Sequence, residues 1–266
     1  MKIEGKNVLV TGGSSGIGLA TAQALLARGA RVFITGRRTD ALQQALTQLR
    51  GGGQAHGVIA DVATAAGRAY TLQAALEAMG GLDILVNNAG GVRAGRLEET
   101  AEADIRAMIE VNLVAPILLA RAALPNLRAG GGMVVNISSG IALVGVPFYA
   151  TYAAVKAGVA HFGEALRREL KGEGVHVMTV YPGATDTPMM QSSRAGPDLG
   201  FVREPAAVVA QAIVEGIESE ALQVVRGGDT RAAMIAQNRS DPAALDQRFV
   251  GLKPALAEAV RDHSAL

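Results

Sequence analysis

The chain has 266 residues, 49% of them hydrophobic, 18% charged and 3% aromatic, with 33 glycines and no tryptophan. That apolar content can bury a sizeable core, which excludes a disordered or low-complexity chain. Lys and Arg number 25 against 24 Asp and Glu, a net charge of +1, so no basic excess draws it to nucleic acid or a membrane surface. Cysteine is absent, which excludes disulfides, thiolate nucleophiles and Cys-ligated metals and makes a reducing cytoplasm the expected location.

The N-terminal segment MKIEGKNVLVTGG carries an apolar stretch too short for a signal-peptide core. Val- and Ile-rich runs predict strands at Val8–Thr11, Val32–Thr35, Gly57–Ala60, Ile84–Val86, Met133–Ile137, Val175–Tyr181 and Leu222–Val225. They are apolar throughout rather than alternating, as strands covered on both faces require. Helical patterns lie between them at Gly16–Arg28, Asp40–Arg50, Ala65–Met79, Glu102–Leu127, Thr151–Lys171 and Pro205–Ser219. Gly29 and Gly172 stand in helix-stop positions. The alternation predicts one α/β domain over residues 1–266, a Rossmann-type doubly wound parallel sheet of about seven strands with helices on both faces. Asn112, Pro116 and Arg121 interrupt the apolar run Val111–Leu124, so no membrane span is expected.

Loops at Gly90–Glu98, Ser139–Ala150 and Pro182–Arg203 leave the carboxyl ends of strands, where open α/β sheets bind ligands. His56, His161, His176 and His263 lack metal-ligand spacing, so no metal site is expected.

The segment Thr11-Gly12-Gly13-Ser14-Ser15-Gly16-Ile17-Gly18 joins the first strand to the first helix. Gly12 allows a tight turn, Gly16 lets backbone approach a pyrophosphate, and Gly18 permits close helix–strand packing. The helix then offers free N–H groups and a positive dipole end to the anion. A nucleotide triphosphatase's Gly-Lys-Ser/Thr ending is missing. After the second strand, Gly36 stands where an acidic residue would accept hydrogen bonds from the ribose of NAD. Arg37 and Arg38 follow, and Arg37 suits a 2′-phosphate, so NADPH is favoured over NAD. Asp40 is expected to cap the next helix.

Tyr152 and Lys156 are four apart on a helix and share a face. A nearby ammonium favours the phenolate of a tyrosine. Tyr149 has no lysine on its own face, and Ser138 and Ser139 point to opposite sides of their strand. Pro116 has no N–H for the carbonyl of Asn112, which predicts a kink and a freed carbonyl there.

Together these segments resemble the short-chain dehydrogenase/reductase family from about residue 5 to about residue 190. The resemblance rests on the glycine loop, Asn87-Asn88-Ala89-Gly90, Val111-Asn112-Leu113, Ser139, Tyr152-Ala153-Ala154-Val155-Lys156, and Pro182-Gly183 ahead of Thr187. It implies hydride transfer between NADP(H) and a ketone or aldehyde, or the reverse from an alcohol. Tyr152 would be the proton donor, Lys156 would lower its pKa, Ser139 would polarise the carbonyl, and Asn112 would hold a proton-relaying water. The family's serine–tyrosine interval selects Ser139 over Ser138. The same resemblance implies a cofactor held by Gly12, Ser14, Ser15, Gly16, Ile17, Gly18, Arg37, Arg38, Asp61, Val62, Asn88, Ala89, Gly90, Tyr152, Lys156, Pro182, Gly183 and Thr187. Asp61 would meet the adenine.

A homodimer or homotetramer through Glu102–Leu127 and Thr151–Lys171 is also implied. Residues 229–266, helical around Arg231–Gln237 and Ala255–Arg261, depart from the family's short Val-Asp-Gly-Gly tail and weaken the case for a tetramer. Met189, Met190, Leu199, Phe201 and Val202 in the 182–203 loop, with Leu143, Val146, Phe148 and Tyr149, predict a pocket for medium-sized apolar or aromatic ketones, with KM rising as polar or charged groups are added. Gly183, Gly196 and Gly200 would let that loop close. Its basic residues are Arg194 and Arg203 alone, which disfavours a multiply anionic thioester. Reduction of a 3-oxoacyl thioester is the alternative within the family, and a non-catalytic dinucleotide sensor the alternative outside it. A methyltransferase would leave Tyr152 and Lys156 without a role.

Overall fold

The computed structural model describes residues 1–266. Its strands are β1 (Asn7–Thr11), β2 (Arg31–Gly36), β3 (Ala55–Ile59), β4 (Ile84–Asn87), β5 (Met133–Ile137), β6 (His176–Tyr181), β7 (Thr185–Asp186), β8 (Glu204–Pro205) and β9 (Gln223–Val225). Its α-helices are α1 (Gly16–Leu26), α2 (Thr39–Arg50), α3 (Ala65–Met79), α4 (Glu102–Ile109), α5 (Ala115–Gly130), α6 (Ala150–Glu169), α7 (Ala206–Glu218), α8 (Gly228–Ser240) and α9 (Pro242–Val260). The predicted elements stand, with ends moved by one or two residues except in the long fourth helix and the C-terminal extension.

Seven strands form one sheet in the order β3-β2-β1-β4-β5-β6-β9, and every pair in it is parallel. Side chains alternate faces along a strand. Val8 and Val10 therefore pack with Ile34 and Val86 under α1, α2 and α7, while Leu9 packs with Phe33 and Leu85 under α3, α5 and α6. Both faces are covered, which explains why the strands read as continuously apolar. The order reverses between β2-β1 and β4-β5, and the crevice above the β1 and β4 ends is where such sheets bind nucleotides.

Local chemistry sets the helix ends. Gly29 and Gly172 adopt φ of +81° and +92°, the left-handed region that stops a helix without strain. Thr64 caps α3 by accepting from Gly67 N–H at 3.0 Å. Asp40 is not a cap: Arg38 holds that position, and Asp40 sits in the first turn, where its charge still suits the helix dipole.

The stretch Glu102–Leu127 is not one helix. A π-helical turn, Glu110–Val114, separates α4 from α5. Pro116 has no N–H to continue the ordinary ladder, and Ala115 N–H instead reaches back to Glu110 O. The predicted kink is this wider turn. An 18-residue window of the run Glu102–Gly130 has a mean hydropathy of 1.7, enough to cross a bilayer by composition. Leu119, Ala123 and Leu127 of that run are buried against the sheet.

Residues 229–266 form α8, α9 and a tail that returns to the carboxyl edge of the sheet. Leu256 and Val260 bury against Val92, Ala94, Tyr149 and Ala195 in a third apolar cluster. The tail is stitched down by Ala94 N–H to His263 O at 3.0 Å and Ala265 N–H to Val92 O at 2.8 Å.

Leu85 lies in the central strand with no exposed surface, wedged between sheet and α5. Leu85→Ala leaves a cavity there and should lower unfolding free energy by about 2–5 kcal/mol in urea denaturation. A loss below about 1 kcal/mol would show that this face can collapse around the gap.

Candidate active site

A groove of about 570 Å³ runs along the carboxyl edge of the sheet. Its first part is the loop between β1 and α1. Ser15 opens α1 without a side-chain hydrogen bond, and no acidic residue stands in the first turn, so the N–H groups there are left to an anion. Gly16 adopts φ of +55°, and a Cβ on it would meet Thr187 Cγ2 at 3.0 Å, narrowing the cradle from both sides. Gly18 does not line the groove. It lies beneath the loop, where a Cβ would collide with Asn88 Nδ2 and with Gly12 O.

Asn88 braces that loop rather than facing the groove with its amide. Its Nδ2 donates to Thr11 O at 2.9 Å and Gly12 O at 3.1 Å, while Thr11 Oγ1 accepts from the N–H groups of Asn88 and Ala89 at 3.0 Å each. This knot ties the ends of β1 and β4 together under the crevice.

Gly12, Ser14, Ser15, Gly16, Ile17, Arg37, Arg38, Asp61, Val62, Asn88, Ala89, Gly90, Pro182, Gly183 and Thr187 all line the groove. Arg37 and Arg38 stand exposed at the end nearest β2. A Cβ on Gly36 would meet Ser14 Oγ at 2.7 Å, so any side chain at this position would have to displace Ser14. Asp61 turns one carboxylate oxygen to Ala63 N–H at 3.0 Å and still borders the groove. The glycine cradle, the open helix end and the exposed arginines fit a phosphorylated dinucleotide.

Ser139, Tyr152 and Lys156 meet at the other end. Lys156 is buried, its Nζ donates to Ile137 O at 3.0 Å, and it stands 5.6 Å from the centre of the Tyr152 ring. Ser138 faces away from the groove's centre, its Oγ donating to Lys156 O at 2.7 Å, and so fixes the lysine's backbone. The Ser139 hydroxyl lies against the Tyr152 phenol.

Burial pushes the Tyr152 phenol well above its ordinary value, Tyr149 adds to that, and the Ser139 hydrogen bond alone acts downward. The expected depression of Tyr152 is therefore not present in the protein by itself, because loss of solvent outweighs the neighbouring groups. Burial also draws Lys156 down to about 8. Tyr149, packed 6.4 Å from Tyr152 between ring centres, is pushed up to about 12 by burial and leaves its hydroxyl without a hydrogen bond.

The Asn112 side chain is buried and fully engaged with its neighbours. Its Nδ2 donates to Gly91 O at 2.8 Å and Met108 O at 2.9 Å, and its Oδ1 accepts from Gly91 N–H at 3.3 Å. A Cβ on Gly90 would stand 2.7 Å from Asn112 Oδ1 and 3.4 Å from Lys156 Nζ, so the asparagine, the glycine and the lysine share one crowded spot.

Met189, Met190, Phe201 and Tyr149 form the apolar wall beside Tyr152. Leu199, Val146 and Phe148 instead pack beneath it in the third cluster, and Leu143 and Val202 join neither. Arg231, His263, Ala265 and Leu266, which the C-terminal extension brings into the groove, were not among the expected site residues. Their partners lie far away along the chain, so no local motif marks them.

Fold and groove together define a nucleotide-dependent oxidoreductase of the Rossmann type. Residues 6–198 match the family described as short chain dehydrogenase. The chain is 34% identical over 227 residues to ketoacyl reductase HetN of a Nostoc species, covering 84% of this chain and 79% of that one. It is 33% identical over 239 residues to D-threitol dehydrogenase of Mycolicibacterium smegmatis, covering 86% and 91%. A short chain dehydrogenase from Burkholderia cenocepacia, solved in complex with NADP, matches with a TM-score of 0.80 and 34% identity over 86% of this chain and 98% of that one. The chain belongs to the short-chain dehydrogenase family.

His263 anchors the wall: its Nδ1 lies 3.0 Å from Ser192 Oγ, and burial with Arg203 and Arg93 nearby lowers its pKa to about 4. An unfolded imidazole takes its proton near pH 6.5, so the unfolded chain gains protons first as pH falls. Stability should therefore drop between about pH 6.5 and 4 by on the order of 2 kcal/mol more than in His263→Gln. Parallel stability–pH curves for the two proteins would show that His263 protonates freely in place.

Proposed function

We propose that this protein is an NADP(H)-dependent carbonyl reductase acting on ketones or aldehydes with an apolar body, and able to run the reverse alcohol oxidation. The observation that carries this reading is the meeting of Ser139, Tyr152 and a buried Lys156 at one end of a dinucleotide-shaped groove. A non-catalytic sensor would have no use for a buried ammonium beside a half-buried phenol.

NADPH held in the groove would supply a hydride for the carbonyl carbon. The Ser139 hydroxyl donates a hydrogen bond to the carbonyl oxygen, and Tyr152 donates the proton that completes the alcohol. The phenol is protonated at neutral pH, the form a donor needs, and burial acts in the same direction. The Lys156 ammonium, close to the ring, then favours the phenolate left behind. Asn112 holds Gly91 and so fixes the floor on which Lys156 lies.

At the far end, Arg37 clamps the 2′-phosphate and Arg38 borders it; the lack of a carboxylate at Gly36 removes repulsion. NADP in the Burkholderia cenocepacia relative supports this choice of cofactor. The wall of Met189, Met190, Phe201 and Tyr149 favours aryl and alkyl ketones over multiply anionic thioesters. The surfaces of Glu102–Leu127 and Thr151–Lys171 would form the contact between subunits of a homodimer or homotetramer.

Tyr152→Phe should lower turnover by about 10²–10⁴-fold while NADPH binding stays intact, read from NADPH oxidation with a panel of ketones and from direct titration of the cofactor. Near-full activity in that variant would remove Tyr152 from the mechanism. Arg37→Ala should cost about 1.5–3 kcal/mol in KM for NADPH and leave KM for NADH almost unmoved. An equal loss with both cofactors would make Arg37 a surface residue only.

A further inference from the structure

Arg231 is the one arginine at the substrate end of the groove. It stands in the first turn of α8, and its backbone N–H returns to Gly227 O at 3.3 Å. The guanidinium lies flat against Gly140, the residue after Ser139: a Cβ on Gly140 would stand 2.9 Å from Arg231 Cζ and 3.2 Å from Nε and Nη1. Gly227, at φ of +111°, likewise leaves room for the arginine's own Cβ at 2.8 Å. Two glycines, distant in sequence, thus make the space that this side chain occupies.

Its protein partners are few. Arg231 Nη1 touches Gly140 O at 3.4 Å, and the guanidinium forms no ion pair. Arg226, five residues earlier, shows the contrast, since Glu204 grips it through contacts of 3.2 and 2.8 Å. Arg231 is half-buried, and burial lowers its pKa from the usual arginine range. A guanidinium in that setting lacks the counter-charge that would repay its lost hydration. The phosphate loop and the exposed Arg37 lie at the groove's opposite end, so the cofactor's phosphates are already served elsewhere.

Building on the carbonyl-reductase reading, we propose that Arg231 binds a carboxylate carried by the carbonyl substrate, so that the preferred substrate is an apolar ketone bearing one anionic group. A planar guanidinium matches a carboxylate through two parallel hydrogen bonds. One cation, with Asp229 in the same helical turn, suits a monoanion rather than a phosphate dianion. The apolar wall takes the body of the substrate, Ser139 and Tyr152 take the carbonyl, and Arg231 fixes the remaining end. Arg231 is thus a specificity residue contributed by the C-terminal extension, not by the loops that build the rest of the pocket.

The test uses 4-acetylbenzoate and its methyl ester, matched ketones that differ in the charge. Calorimetry on the NADP⁺-bound protein measures the affinity of each, and NADPH oxidation measures kcat and KM. Wild type should favour the acid, and Arg231→Leu and Arg231→Gln should each weaken acid binding roughly tenfold to a hundredfold, with the ester little changed. Arg231→Lys should recover part of the preference. Equal affinity for acid and ester in wild type, or a preference that survives both substitutions, overturns the proposal. A parallel loss of NADP⁺ affinity also overturns it, by giving the guanidinium to the cofactor. If wild type binds the acid selectively yet reduces neither ketone, the carbonyl-reductase reading fails while the role of Arg231 stands.

Discussion

Lys156 keeps its ammonium in an interior where its side chain is 5% exposed, and a buried charge costs several kcal/mol unless dipoles face it. The surrounding architecture supplies that compensation. The carbonyl of Ile137, at the end of β5, accepts from Nζ, and Ser138 grips the backbone from which the side chain springs. Gly90 leaves an opening that any side chain would fill. Asn112 then pins Gly91, and the π-helical turn is what brings Asn112 to it. A proline inside a helix, usually a defect, here re-aims an amide at the loop beside the lysine.

Strain is tolerated close by. Phe148 adopts φ of +71°, costly for a bulky side chain, directly before the start of α6. Its carbonyl accepts from Gly95 N–H at 2.8 Å, and the preceding Ala94 is held by His263. Contacts therefore run without a break from the tail, through the Gly91–Gly95 segment, to the turn that launches Tyr149 and Tyr152. The rings of His263 and Tyr149 lie 6.0 Å apart, centre to centre, and close that circuit. The extension thus bears on the candidate catalytic tyrosine as well as on the pocket wall.

The sequence-to-structure relation is uneven for a physical reason. The parallel sheet with helices on both faces follows from short apolar runs separated by helical periods, because strands covered on both faces read as continuously apolar. The phosphate loop and the Tyr152–Lys156 pair are legible because their chemistry is local: a turn, a helix start, one turn of one helix. Asp40 misled, since a good capping residue lost its place to the geometry of Arg38, two positions earlier. Pro116 signalled a break but not its form, which depends on how the ladder resets against Gly91. Arg231 and His263 carry no local signal, since Gly140 and Ser192 reach them only after the chain has folded back. Tyr152 shows a different limit, for its pKa depends on desolvation by the whole site, and spacing from a lysine says nothing of that.

The tail's attachment to Val92 and Ala94 also has a temporal side. A nascent chain completes its last sheet strand at Val225, with the phosphate loop, Ser139, Tyr152 and Lys156 already emerged or about to emerge. A single domain generally folds as a unit. The cluster beneath the pocket needs Leu256 and Val260, and His263 lines the groove itself, so the pocket can close only once the last residues of the chain have been made.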